Sequence, residues 1–115
     1  MIESYGPCER IRKKKEFNEL YKRGRCARGK YFNLIYLPNN FGHSRMAVVA
    51  SRKVGNAVHR NKIRRRVREL FRRNKGLIKF SLDILLIAKK EIRFATWPVL
   101  RDEYVAAVQA IGGND

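Results

Sequence analysis

The segment from Ala50 to Asn74 constrains the fold more than any other part of the chain. Ile63, Val67, Leu70 and Phe71 fall in one apolar stripe about 100° wide when each residue turns a helix by about 100°. The remaining positions of the helix are polar or cationic: Asn61, Lys62, Arg64, Arg65, Arg66, Arg68, Arg72 and Arg73, with Glu69 as the only acid among them. We therefore predict an amphipathic helix that packs its apolar stripe on a core, with cations that nothing within the helix neutralises.

Arg60 departs from this pattern, because it falls beside the apolar stripe in the first turn of the predicted helix. A long Arg side chain can extend along the edge of a core and present its guanidinium to a ligand near the sheet. A basic helix that is only solvated would be expected to carry Glu four residues away from Lys or Arg, and Glu is almost absent here. The pattern favours a helix that binds a polyanion.

The charge of the whole chain supports a polyanionic partner. The 27 Lys and Arg residues against 10 Asp and Glu residues give a net charge of +17, which opposes folding unless a partner compensates it. A chain of 115 residues is long enough for one domain, which we predict over residues 1–115 with an irregular arm over residues 1–12. No apolar run approaches the 18 residues of a membrane span, and we expect a cytoplasmic protein without a membrane partner.

Local patterns predict further elements on both sides of the basic helix. They are a helix from Lys14 to Arg23 closed by Gly24, a strand over 30–37, its antiparallel partner over Arg45–Ser51, a buried central strand over Leu82–Ala88, and a last helix opened by Trp97 and Pro98 with Thr96 as its N-cap. The order α-β-β-α-β-α describes a small α+β or α/β sandwich with helices packed on a mixed sheet. The strand over 30–37 is apolar on both sides, so either Tyr31 and Ile35 or Phe32 and Tyr36 could face the first helix.

Two aromatic residues of the first helix have alternative readings. Phe17, Leu20 and Tyr21 share its inner face, and we predict that Leu20 belongs to the core. Phe17 and Tyr21, four residues apart and surrounded by cations, are either core residues or half-exposed rings that stack on unpaired bases.

Side chains for metal binding or acid-base catalysis are not grouped in the sequence. Cys8 and Cys26 are isolated, so we predict reduced thiols rather than a zinc site. His43 and His59 have no neighbouring Cys, Asp or Glu cluster, and paired carboxylates suited to two-metal chemistry are not evident. We therefore predict no catalytic and no metal-binding protein side chains.

The stretch RMAVVASRKVGNAVHRNKIRR, from Arg45 to Arg65, resembles the signature of the bacterial ribonuclease P protein subunit. In that family a strand ending in basic residues leads through Gly-x-Ala into an Arg-Asn-Arg helix, and the spacing from Gly55 to Arg60 agrees. Lys62 stands where the family usually has Arg, which keeps the charge but loses bidentate phosphate geometry. Ala47 stands where a small glycine is frequent. With weaker features, the resemblance extends from about Arg10 to the last helix.

The resemblance implies a fold and a function. The fold is ribosomal protein S5 domain 2-like, with a left-handed strand-helix-strand crossover, although general rules favour a right-handed one. The function is to bind the catalytic RNA and the 5′ leader of precursor tRNA and to assist endonucleolytic removal of the leader. The RNA subunit performs this hydrolysis with Mg²⁺ that is held mainly by the RNA and substrate. No organic cofactor and no obligate protein partner are implied.

The resemblance also assigns residues to two binding surfaces. The catalytic RNA would be held by Arg60, Asn61, Lys62, Arg64, Arg65 and Arg68. The leader of precursor tRNA would be held by Phe17, Tyr21, Ser51, Arg52, Lys53, Asn56 and Lys90.

Rival functions remain open from the sequence. A ribosomal or other structural RNA-binding protein would share the basic character without a leader cleft. A DNA-binding protein with its basic helix in a major groove fits less well, because a strand rather than a short helix precedes the basic helix. A self-sufficient nuclease fits least well.

Overall fold

The computed structural model describes residues 9–112, which form three α-helices and four β-strands. In chain order they are α1 (Lys14–Arg23), β1 (Arg25–Arg28), β2 (Phe32–Pro38), β3 (Arg45–Val49), α2 (Ala57–Arg73), β4 (Leu82–Ala88) and α3 (Trp97–Gly112). Short 3-10 turns over Arg52–Val54 and Lys90–Phe94 follow β3 and β4. The bounds of α1 and β4 are those predicted. Residues 1–8, which include Cys8 and most of the predicted arm, lie outside the described residues.

The four strands form one mixed sheet in the order β1-β2-β4-β3. The central strand β4 pairs antiparallel with β2 and parallel with β3. The prediction that β2 and β3 are antiparallel partners is therefore wrong, because β4 lies between them. The connection from β2 to β3 passes the start of β4, where the Asn39 N–H donates to the Ser81 carbonyl (2.9 Å) and the Leu82 N–H donates to Ser44 Oγ (3.1 Å).

Strand β1 was not predicted, so the observed order contains one strand more than α-β-β-α-β-α. It pairs antiparallel with β2, from Arg25 opposite Tyr36 to Arg28 opposite Asn33. Its sequence RCAR gives no apolar alternation, and only Ala27 is partly covered. An exposed edge strand of this kind is specified by its partner rather than by its own residues.

Helices cover the two faces of the sheet and divide the core into two clusters. Leu82, Ile84, Leu86 and Ala88 of β4 face α2 and α3, whereas Leu85 and Ile87 face α1. On β2, Phe32 and Tyr36 pack in the cluster of α2 and α3, and Ile35 packs in the cluster of α1. Ile35 therefore faces α1, whereas Phe32 and Tyr36 face away from it. Tyr31, just before β2, packs in the cluster of α2 and α3, so its predicted pairing with Ile35 is wrong.

Helix α2 forms as its sequence predicts. Asn56 is the N-cap, and its Oδ1 accepts a hydrogen bond from the His59 N–H (3.1 Å). The apolar stripe is buried throughout, and each such side chain contributes about 1.5–3 kcal/mol on removal from water. Asn74 ends the helix, with its Nδ2 donating to the Leu70 carbonyl (2.9 Å).

Two glycines are required by their surroundings. At Gly24, which closes α1, an added Cβ would lie 2.4 Å from Ile35 Cγ2 and 2.5 Å from the Leu20 carbonyl oxygen. At Gly55, φ is +140°, and a Cβ would lie 3.0–3.2 Å from His59 side-chain atoms. The first glycine lets α1 approach the sheet, and the second allows the turn into α2.

Helix α3 has a structural role. Leu100, Tyr104 and Val108 are buried against the sheet, and Ala107 and Ile111 are partly buried beside them. Neither this helix nor any other within residues 9–112 is long and apolar enough to cross a membrane.

Candidate nucleic-acid interface

The exposed side of α2 carries four of the residues predicted to hold RNA. Asn61, Arg64, Arg65 and Arg68 follow the spacing i, i+3, i+4 and i+7 and therefore lie on one side of the helix. Arg64 is half-buried, donating to Asn61 Oδ1 (3.3 Å) and to the Ala50 carbonyl (3.4 Å) at the end of β3. The other three are exposed. Arg64 thus links this basic side of α2 to the sheet.

The other two predicted residues lie elsewhere around the helix. Lys62 is exposed about 100° from Asn61. Arg60 is half-buried at the edge of the core, as predicted, and its Nε is buried without a hydrogen-bond partner among the described residues. The six residues therefore lie on several sides of α2 between Arg60 and Arg68 rather than on one flat patch.

The prediction that nothing within α2 neutralises its cations is wrong for Arg72 and Arg73. Glu69 forms ion pairs with Arg72 and with Arg73, whose Nε lies 2.6 Å from Glu69 Oε1. Hydrogen bonds that Glu69 accepts, chiefly from Arg72 and to a lesser extent from Arg73, lower its pKa to about 2. The two cations at the C-terminal end of α2 are thus engaged by Glu69, whereas the exposed cations Lys62, Arg65 and Arg68 precede them along the helix.

Other carboxylates are also engaged with cations away from the basic side of α2. Arg45 is buried between Asp83 (2.6 Å) and Glu16 (2.7 Å), and its pKa is raised above the usual value, chiefly by the hydrogen bond to Asp83. Within residues 9–112, Lys62, Arg65 and Arg68 have no ion pair. These three charges are available to an external anion.

The structure shows which aromatic residues of α1 belong to the core and which are exposed. Leu20 is buried, as predicted, and Phe17 is half-buried against Ile11, Leu85 and the other members of the α1 cluster. Tyr21 is 54% exposed and belongs to neither core cluster. Tyr21 is therefore available for stacking, whereas Phe17 contributes both to the core and to the surface.

Basic residues gather where β3 and β4 end. Parallel strands end at the same edge of a sheet, so the turns Arg52–Val54 and Lys90–Phe94 are neighbours, with Val54 and Ile92 buried beneath them. Arg52, Lys53 and Lys90 are exposed on these turns. We call this group, with Ser51, the basic turns.

Half-buried apolar residues lie between the basic turns and α1. Val49 and Ile87 are partners in the sheet register, and both face the α1 side while remaining half-buried. They provide an apolar surface that ends at the exposed cations. Such a surface suits a single strand that offers base faces and phosphates together.

Ser51 and Asn56 have structural roles in addition to their predicted one. Ser51 Oγ accepts from the Lys53 N–H (3.3 Å) and shapes the first basic turn, and Asn56 caps α2. Both residues are exposed. They position the cations around them.

Phe94 was missed by the sequence reasoning. It is 79% exposed on the same turn as Lys90, and the Arg93 guanidinium lies 5.4 Å from its ring centroid. An aromatic residue directly after Arg in a segment without helical or strand periodicity is the signal that could have found it.

Metal-ligating side chains are not grouped in the part of the chain that the structure describes. Across residues 9–112, no group of three or more His, Cys, Asp or Glu side chains is placed to hold one. His59 packs on Gly55 with its Nδ1 buried, and Cys26 is a free, exposed thiol on β1.

Comparison with known proteins relates this geometry to a family. The family model described as Ribonuclease P matches residues 6–112. The ribonuclease P protein component of Thermotoga maritima is 40% identical over 92 residues, which cover 80% of this chain and 79% of that protein.

Solved structures agree with the family match. The RNase P protein from Thermotoga maritima has a TM-score of 0.82 at 33% identity, covering 89% of this chain and 96% of that one. The Staphylococcus aureus RNase P protein has a TM-score of 0.79 at 33% identity, covering 87% and 94%. With a matching family model, similar sequences and a similar fold, this chain belongs to the family of ribonuclease P protein components, the protein subunit of the ribonucleoprotein that processes the 5′ ends of tRNAs.

Proposed function

We propose that this chain binds two RNA segments at once, the ribonuclease P RNA through α2 and the 5′ leader of precursor tRNA through α1 and the basic turns. The observation that carries the proposal is the placement of α1 and α2 on opposite faces of one sheet. The turn Arg52–Val54 joins β3 to α2 and so lies between the two surfaces. A protein built in this way can hold a substrate strand against a second RNA.

On the α2 side, the catalytic RNA is bound by charge. Lys62, Arg65 and Arg68 are exposed and unpaired within the described residues, and Arg64 is fixed to the end of β3. Each phosphate contact releases condensed counterions, so binding weakens steeply as salt rises.

On the α1 side, the leader is bound by stacking and charge together. Tyr21 offers an exposed ring, Phe17 a half-buried one, and Lys53 and Lys90 stand beyond Val49 and Ile87 at the strand ends. Each base stacked on an aromatic side chain contributes about 1–3 kcal/mol. Mature tRNA lacks the leader and therefore loses these contacts.

Hydrolysis is assigned to the catalytic RNA, with Mg²⁺ held by RNA and substrate. Within residues 9–112, no group of three or more His, Cys, Asp or Glu side chains is placed to hold a metal ion. Cations of the protein near the cleavage junction reduce phosphate repulsion and hence the Mg²⁺ that the RNA requires. A cytoplasmic location follows from the proposed substrate.

Cleavage at limiting Mg²⁺ tests this proposal. A precursor tRNA is incubated with a bacterial ribonuclease P RNA, with and without the protein, and with the protein alone. We expect leader removal only when both components are present. Tight RNA binding without rescue of cleavage would instead favour a ribosomal or other structural RNA as the partner, and cleavage by the protein alone would contradict the assignment of the chemistry to RNA.

A further inference from the structure

The loop between β2 and β3 carries an exposed ring that the proposed function does not use. Phe41 is 56% exposed, although large apolar side chains are most often buried. It lies where β3 and β4 begin, which is the end of the sheet opposite the basic turns.

A buried polar network holds Phe41 in place. Asp83 accepts from Arg45 Nε (2.8 Å) and from Asn39 Nδ2 (2.8 Å), and Asn39 Oδ1 accepts from the Phe41 N–H (3.0 Å). The Arg45 guanidinium lies 4.3 Å from the Phe41 ring centroid. Both Arg45 and Asp83 are buried, so the network fixes the loop backbone and supports the ring from one side. A ring held in this way loses little conformational freedom when a ligand stacks on it.

Cations surround this ring in a pocket whose volume falls within the range of small-ligand sites, about 300–1,000 Å³. The pocket measures ≈ 380 Å³, and Arg12 and Lys13 line it together with Phe41, Arg10 and His43. Arg12 and Lys13 are exposed and have no ion pair within residues 9–112. The acid in the lining, Glu16, is already paired with Arg45 (2.7 Å). We call this the Phe41 pocket.

We propose that the Phe41 pocket binds one unpaired RNA nucleotide, with the base on the exposed side of Phe41 and a phosphate at Arg12 and Lys13. An aromatic platform beside unpaired cations matches a base face and its backbone charge, whereas paired bases inside a duplex do not present their faces. The source of the nucleotide rests on the proposed function: it comes from a distal part of the leader or from an unpaired segment of the catalytic RNA. Both sources share the same chemistry.

Substitution of Phe41 tests the pocket directly. Phe41→Ala removes the platform, Phe41→Tyr retains it, and Phe80→Ala removes a ring that is 49% exposed and lies outside the Phe41 pocket. Affinity is measured for a single-stranded oligouridylate, for the catalytic RNA, and, with the holoenzyme, for precursor tRNAs with leaders of graded length. We expect Phe41→Ala to weaken binding of the oligouridylate and of one larger RNA by about 5-fold or more, with the other two variants close to wild type.

The RNA whose binding is weakened by Phe41→Ala identifies the source of the nucleotide. A loss that appears only beyond a certain leader length assigns the nucleotide to the leader, and a loss for the catalytic RNA assigns it to that RNA. A double variant, Arg12→Ala with Lys13→Ala, should weaken the same RNA and reduce the salt dependence of its binding.

Two results would overturn the proposal that the Phe41 pocket binds a nucleotide. One is unchanged affinity of Phe41→Ala for all the RNAs; the other is an equal loss for Phe41→Tyr, which would show that the loop rather than the ring matters. Thermal melting of each variant separates a folding defect from a binding defect. Failure of the wild-type protein to lower the Mg²⁺ requirement of cleavage would count against the proposed function. The RNA affinities of the Phe41 variants would still show whether the Phe41 pocket binds a nucleotide.

Discussion

Replacement of Tyr21 by Ala separates leader binding from folding. Tyr21 is 54% exposed, so a base can cover only about half of its surface. A stacked base contributes about 1–3 kcal/mol, and the half-covered ring places Tyr21 in the lower part of this range, about 1–2 kcal/mol. At 1.4 kcal/mol per tenfold, the expected loss is about 5- to 30-fold in affinity for leader-bearing precursor. Affinity for mature tRNA should not change.

Stability should respond differently at the two aromatic positions of α1. Tyr21 belongs to neither core cluster, so Tyr21→Ala should change the free energy of unfolding by no more than about 0.5 kcal/mol. Phe17 is half-buried in the α1 cluster, and Phe17→Ala should cost roughly 2 kcal/mol, about half the cost at a fully buried site.

The assay pairs equilibrium binding with unfolding. The reconstituted holoenzyme is titrated with precursor and with mature tRNA at fixed salt, and the free protein is unfolded in urea. Tyr21→Phe is the matched control, because it keeps the ring and should bind like wild type. Equal losses of Tyr21→Ala for precursor and mature tRNA, or no loss for either, would refute the stacking argument.

Further substitutions test the charges and the core. Arg65→Ala should weaken binding to the catalytic RNA and lower the slope of log affinity against log salt by about 1, whereas Arg101→Ala on α3 should leave both unchanged. Tyr104→Phe should raise the free energy of unfolding in urea by about 1 kcal/mol, because it removes a buried hydroxyl that has no hydrogen-bond partner among the described residues. A free energy of unfolding below that of the wild type would indicate that the hydroxyl does have such a partner. Glu69 has its folded-state pKa lowered from 4.5 to about 2, so its contribution to stability is present above pH 4.5 and lost as pH falls towards 2. The stability difference between wild type and Glu69→Gln should shrink over that interval, and a difference independent of pH would contradict the ion pairs.

Local patterns predicted the elements well because their causes are local. The stripe of Ile63, Val67, Leu70 and Phe71 is buried as expected, and the apolar run Leu82–Ala88 is the central strand. Pairing between strands depends on distant residues, and a turn between β2 and β3 suggested a hairpin that the insertion of β4 excludes. Strand β1 carried no apolar alternation to reveal it.

The candidate site was predictable in its residue types but not in its internal pairing. The sequence shows an excess of cations, yet only the structure distinguishes Arg45, buried between two carboxylates, from Arg65, which is exposed and unpaired in the described part of the chain. Likewise, Phe17 and Tyr21 lie four residues apart on the same face of α1 and both have cations nearby in the sequence. Only their burial in the structure distinguishes the partly buried ring of Phe17 from the exposed ring of Tyr21. The placement of Phe94 depended on a turn without a regular pattern.

The central position of β4 has a consequence for the order in which the molecule is made. Both β2 and β3 pair with β4, which follows α2 in the chain. Synthesis proceeds from the N-terminus at about 5–20 residues per second, so the basic helix leaves the ribosome before the strand that completes its sheet. During that interval the nascent chain can form the β1–β2 hairpin, but β3 lacks β4, the strand with which it pairs, and the apolar stripe of α2 has no finished surface to cover. The cations of α2 are therefore presented to cellular RNA before the fold that gives them their specificity exists.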